Sequence, residues 1–363
     1  MASLDEPFAV GDLRLPNRIA MAPMTRMQSP GGVPGRNVAD YYARRAANQV
    51  GLIITEGTYI NRAAAQEHDG VPHFHGERAL AGWAQVAEQV HQAGGKIIPQ
   101  LWHTGVTRAD AEPPAEGPSG LGLDGTPNGK AMTQQDIDGT VAAFAEAAAA
   151  AERIGFDGVE LHGAHGYLID DFLWSRTNRR TDRYGGDPAS RARFATEVVQ
   201  AVRAAVSPGF PVFFRLSQWK LNNYDARIAD DPDELAALLT PLADAGVDAF
   251  HASTRRYWLP EFDGSELNLA GWARKLTGKP TVTVGSVGLD QQFGEGGGLA
   301  EGYSQQAGVT GIEQLLERLE RNEFDLVAVG RTLLSNPDWA AKALRGELTG
   351  IVAYDPSMLA TLD

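Results

Sequence analysis

Eight times along this 363-residue chain a short apolar run is followed by a stretch with helical spacing. The runs are Ile19–Met24, Gly51–Thr55, Lys96–Leu101, Phe156–Leu161, Val212–Leu216, Asp248–Ala252, Thr281–Val284 and Asp325–Val329. They are apolar at consecutive positions, the pattern of strands covered on both faces. Between them, helical spacing appears at about Val38–Val50, Leu80–Ala93, Asp187–Val206, Asp231–Ala245, Leu267–Leu276, Ile312–Arg321 and Pro337–Arg345. One further helix is expected from an N-cap at Thr133, with Asp136 in its first turn, to about Ile154. Such alternation predicts a parallel sheet wrapped in helices, and eight unbroken repeats favour a closed (β/α)8 barrel over an open doubly wound sheet. No GxGxxG or P-loop motif follows a strand, which weakens the open-sheet alternative further. Length alone would suggest two domains, but α/β barrels often exceed that size as one unit, so residues 1–363 read as a single domain. A hairpin at Phe8–Leu15, turning at Gly11–Asp12, precedes the first run. A long Pro/Gly-rich loop, about Asp110–Met132, follows the third, and Gly294–Gly298 reads as a surface turn.

Composition narrows the partners. The formal net charge of −14 disfavours nucleic acid and anionic membranes, both of which need a cationic face. The absence of cysteine excludes disulfides, thiolate nucleophiles and cysteine-held iron–sulfur clusters. The start, MASLDEPFAV, is acidic and lacks a long apolar core, so no signal peptide is expected, and no segment is apolar enough to span a bilayer. The default location is the cytoplasm, as a monomer or homodimer.

In a barrel of this kind the reactive residues sit at the carboxyl ends of the strands. The richest end follows Phe156–Leu161, where His162, His165 and Tyr167 crowd together, separated by Gly163 and Gly166 that permit positive φ or a close turn. Two imidazoles and a phenol can all donate hydrogen bonds, and the phenol can also release a proton. That set suits polarising a carbonyl oxygen and protonating the carbon beside it; the competing reading is that the histidines merely satisfy loop carbonyls. A metal site of Glu160, His162 and His165 is disfavoured, because Glu160 alternates with Val159 and Leu161 and is expected to point away from the histidines. Strands seven and eight end in Gly285–Ser286 and Gly330–Arg331; each glycine alone reads as simple turn geometry, but small residues at both ends with an arginine together suit a phosphate. Gln100 and Arg215 point into the mouth, where a buried guanidinium needs an anionic partner. A flavin's pyrimidine edge, negatively charged when reduced, is one such partner; an internal salt bridge with Glu56 or Glu160 is the other.

The segments NRIAMAPMTR, TEG, PQLWHTG, HGAHGYLIDDFL with TNRRTDRYGG, FRLS and VAVGR resemble the Old Yellow Enzyme family of flavin-dependent ene-reductases, in order and over nearly the whole chain. The resemblance implies a TIM barrel that binds FMN non-covalently. It places Thr25 at the flavin O4 edge, Pro23, Met24 and Gly57 beside the ring, and Gln100 and Arg215 on the pyrimidine edge. Gly285, Ser286, Gly330 and Arg331 would take the phosphate. His162 and His165 would hold a substrate carbonyl and Tyr167 would be the proton donor. NADPH or NADH would reduce the flavin, and hydride from its N5 would then reach the β-carbon of an α,β-unsaturated carbonyl or nitro compound. Trp102, Tyr257, Trp258 and Tyr354 are candidates to line the apolar part of the pocket. Thr25 stands where one branch has cysteine, which puts the chain nearer the classical branch. Zero cysteines and this length lead us to expect none of the iron–sulfur cluster or extra domains of the larger dienoyl-CoA reductase relatives. The stretch SQWKLNNYD departs from the family pattern, so Trp219 and Lys220 are expected to reshape the substrate loop, with Lys220 one candidate for the 2′-phosphate of NADPH. The segment Leu289–Val309 is longer than the pattern. Two alternatives stay open: a flavin-free barrel acting on a phosphorylated substrate, and a flavin-binding protein without turnover.

Overall fold

The computed structural model of the protein describes residues 3–109, 112–221, 223–292 and 304–363. Eight parallel strands close into a barrel: β3 (Ile19–Met21), β4 (Leu52–Tyr59), β5 (Lys96–Trp102), β8 (Val159–His165), β9 (Val212–Lys220), β10 (Ala249–Ser253), β11 (Thr281–Val284) and β12 (Leu326–Val329). The seam is β12 against β3, with Val327 opposite Ile19 and Val329 opposite Met21. Helices between consecutive strands cover the outside. The expected N-cap is present: Thr133 accepts from the Asp136 amide while the Asp136 carboxylate takes the Thr133 amide, opening the helix Gln134–Arg153.

Strand alternation sorts the interior into two storeys. Ala20, Leu52, Ile54, Ile98, Phe213, Ala249, Val282 and Leu326 fill the lower barrel as one apolar cluster. The hairpin strands β1 (Phe8–Val10) and β2 (Leu13–Leu15) add Val10, Leu13 and Leu15 to that cluster and so close the amino-terminal end. Two residues further along the same strands, the same face carries Gln100, Arg215 and His251, all buried. The barrel is therefore packed below and chemically armed above.

Three differences from the sequence expectations matter for function. Strand Ile19–Met24 stops at Met21: Ala22 still donates to Val329, but Pro23 has no N–H to continue the ladder. Phe156–Leu161 is displaced to Val159–His165, so the two histidines lie on the strand rather than beyond it. A bulge against β9 lies between Gly163 and His165, and His165 itself adopts φ 68° while Gly163 stays at ordinary φ. Strand Val212–Leu216 continues to Lys220, because His165 pairs with Lys220 across that bulge. Two short helices, Leu168–Leu173 and Arg331–Ser335, were not expected; each is too brief to show a helical period. The long loop after β5 contains a two-residue strand pair, β6 (Glu116–Gly117) with β7 (Lys130–Ala131). Gly294–Gly298 lies outside the described residues, and the ends of the longer segment around it pair as Leu289 with Val309. Among the described residues no helix is long and apolar enough to cross a membrane.

Candidate active site

A cleft of about 920 Å³, mouth included, opens at the carboxyl end of the barrel. It is lined by Pro23, Met24, Thr25, Gly57, Gln100 and Arg215. Gly285, Ser286, Gly330 and Arg331 also line it, as do Trp102, His162, His165 and Tyr167. Thus the candidate flavin, phosphate and carbonyl residues, drawn from seven of the eight strand ends, line one cavity. Tyr257, Trp258 and Tyr354 do not line it. Tyr257 and Trp258 pack edge to face at 5.0 Å, and the Tyr257 carbonyl is held by Asn268. Tyr354 pairs its backbone with Ala307 and lies under the Arg331 guanidinium, 5.7 Å from its ring. None of the three is among the lining residues; the Tyr257 amide donates to the Gly285 carbonyl and Tyr354 lies beside Arg331, so these two pack behind that wall.

The reactive trio is tightly gathered. Ring centroids of His162 and Tyr167 are 4.7 Å apart, His162 and His165 5.2 Å, and His165 and Tyr167 6.3 Å. The strand bulge makes this possible. His165 donates its amide to Ser217 Oγ (2.9 Å), and its carbonyl accepts from Leu221, so its positive φ is held from both sides. Gly166, at φ 85°, then turns the chain so that Tyr167 becomes the N-cap of Leu168–Leu173. Trp102 packs edge to face on Tyr167 at 4.9 Å. Burial, with the Arg215 guanidinium beside them, holds both imidazoles well below the ordinary histidine value, so both are neutral. His162 Nδ1 is buried with no hydrogen-bond partner among the described residues, as is Trp102 Nε1.

Glu160 does not point away from the histidines. It shares the inward face of β8 with His162, accepts from Gln100 Nε2 at 2.8 Å and meets His251 Nδ1 at 2.7 Å. Its carboxylate is thereby tied to two neighbours and fixes the Gln100 amide. Glu56 is likewise occupied: it accepts the amides of Arg26 and Met27 and so shapes the turn that presents Thr25, while burial pushes its carboxyl up to about 7. Among the described residues no group of three or more His, Cys, Asp or Glu side chains is arranged to hold a metal.

The unfamiliar stretch after Arg215 splits in two. Trp219 lines the cleft, stacked on His165 at 4.3 Å, with Nε1 donating to the Ser253 carbonyl. Lys220 points the other way, fully buried, with Nζ 2.8 Å from Asp170 and 2.9 Å from the Gln218 carbonyl. It cannot reach a nicotinamide 2′-phosphate. Sequence reasoning missed Ser253, Thr254 and Arg255, which also line the cleft. The signal was present: STRR is a polar cluster directly after an apolar strand, the same sign used at the other ends. The cleft widens outward through Trp102, Tyr167 and Leu221 into a vestibule walled by the long loop, with Leu123, Asp124 and Asn128.

Comparison with known proteins agrees with this geometry. Residues 3–296 match the model of the NADH:flavin oxidoreductase / NADH oxidase family. NADH oxidase of Thermoanaerobacter brockii is 32% identical over 93% of this chain; the chain spans 50% of that relative's length. Putative 12-oxophytodienoate reductase 2 of Oryza sativa subsp. japonica is 33% identical, covering 92% of this chain and 84% of its own length. The structure of morphinone reductase in complex with tetrahydroNAD superposes with a TM-score of 0.80 at 30% identity, over 99% of this chain and 94% of that one. With the fold, the motifs and the cavity in accord, the chain belongs to the NADH:flavin oxidoreductase / NADH oxidase family.

Proposed function

We propose that the protein is a cytoplasmic, NAD(P)H-dependent ene-reductase with FMN in the described cleft, reducing the C=C bond of α,β-unsaturated carbonyl or nitro compounds. The observation that carries this reading is the convergence of His162, His165 and Tyr167 in one cavity that Gln100 and Arg215 also line. The cavity fits FMN on its own evidence. Two lining positions have no room for a side chain: a β-carbon would lie 2.6 Å from the Trp102 ring at Gly57 and 2.7 Å from the Thr254 carbonyl oxygen at Gly285. Arg215 suits the pyrimidine edge, and Arg331 with the Gly285–Ser286 turn suits a phosphate. When bound, FMN would accept hydride from the nicotinamide and deliver it from N5 to the activated carbon.

The protein's own part is orientation, charge stabilisation and proton delivery. His162 and His165, both neutral and both able to donate, hold the carbonyl oxygen and stabilise the negative charge that grows on it. Tyr167 stands beside them and gives its proton to the α-carbon; a phenol with an ordinary value of about 10 keeps that proton at neutral pH. Trp102 and Trp219 wall the site with apolar surface and exclude water. The experiment is to purify the protein, quantify FMN by absorbance, and follow NADPH oxidation under argon with cyclohexenone. One FMN per chain and enone-dependent oxidation are expected; a protein that takes up no FMN contradicts the reading.

A further inference from the structure

Ser253 ends β10 and is buried. Its hydroxyl lies between two groups of the candidate site: Arg215 Nη2 at 3.3 Å and His165 Nε2 at 2.8 Å. A guanidinium can only donate, so one lone pair of Ser253 Oγ accepts from Arg215. The hydroxyl proton then needs an acceptor. If His165 Nε2 carried a proton, both neighbours would donate to Oγ, and the hydroxyl proton would be buried with no acceptor among the described residues. Leaving such a donor unmet is costly. The alternative satisfies every group: Ser253 donates to Nε2, and the imidazole proton sits on Nδ1.

We propose that Ser253 is a positioning residue that fixes His165 as the Nδ1–H tautomer, so that the ring offers its δ nitrogen as a donor to the cleft. The inference rests on the ene-reductase reading for its purpose, though its geometry does not depend on it. Trp219 completes the clamp: its ring holds the imidazole plane at 4.3 Å and 30°, and its Nε1 is anchored on the carbonyl of the same Ser253. Because Arg215 shares the hydroxyl, the residue expected at the flavin edge and the residue expected at the substrate oxygen are joined through one side chain.

The test is histidine-selective ¹⁵N labelling of the holoprotein, with the His165 signals assigned by their loss in His165→Asn. The wild-type ring should show a protonated Nδ1 and a hydrogen-bonded, unprotonated Nε2. In Ser253→Ala that preference should collapse to a mixture, and kcat/KM for cyclohexenone should fall about tenfold, the scale of one lost hydrogen bond. Ser253→Thr, which keeps the hydroxyl, should restore both. A wild-type ring protonated on Nε2, or an unchanged tautomer in Ser253→Ala, overturns the proposal; the wild-type spectrum decides even if the alanine variant does not fold. If the holoprotein never passes hydride to an enone, the ene-reductase reading fails while the spectrum still judges Ser253.

Discussion

Lys220 Nζ sits 2.8 Å from Asp170 Oδ2, with neither side chain exposed. The same Asp170 oxygen accepts the Gly166 amide at 2.7 Å, so the ion pair ties the end of β9 to the turn between His165 and Tyr167. The pair is thus a brace behind the reactive trio rather than a contact for nicotinamide. Removing one member leaves the other charge buried. Lys220→Met should destabilise the protein by roughly 3–5 kcal/mol, read as a lower urea midpoint. A loss below about 1 kcal/mol, the range of exposed pairs, contradicts a brace.

Gly285 adopts φ 144°, and a β-carbon there would lie 2.7 Å from the Thr254 carbonyl oxygen. Gly285→Ala should therefore strain this turn by about 1–3 kcal/mol. FMN titration of the apoprotein by fluorescence quenching should show a Kd at least tenfold higher. An unchanged Kd means the group does not sit against this turn.

Both site imidazoles are held below the ordinary histidine value of about 6.5. Folded, they stay neutral; unfolded, they take up protons as pH falls below that value. Their contribution to stability is therefore lost progressively as pH drops through 6.5 toward their folded values. The difference in unfolding free energy between wild type and His162→Asn should narrow between pH 8 and pH 5. Over pH 6–8, kcat/KM for an enone should show no histidine titration. An inflection near pH 6.5 in that profile contradicts neutral imidazoles in the site.

The barrel was legible because two-faced burial makes each strand a continuous apolar run, and every such run was matched by a strand. The cleft was legible because motif residues fall at strand ends, where the fold must gather them. What escaped depended on local deviations. The bulge at His165 and the extra length of β9 arise from pairing between strands, and pairing leaves no mark on either strand alone. Lys220 and Trp219 are neighbours in sequence, yet alternation sends one to the brace and the other to the cleft. Tyr257, Trp258 and Tyr354 are aromatic residues near the correct strand ends, but their rings pack onto other segments, a matter of side-chain direction that proximity in sequence does not fix.

In the proposed ene-reductase, Tyr167 donates the proton after His162 and His165 have gripped the substrate oxygen. Anaerobic stopped-flow with Tyr167→Phe separates the steps. NADPH should bleach the flavin absorbance of the variant at close to the wild-type rate. Cyclohexenone should then restore it about 100-fold or more slowly, the scale of a lost general acid. Equal loss in both half-reactions, or a reduced wild-type protein that no activated alkene reoxidises, would contradict that role.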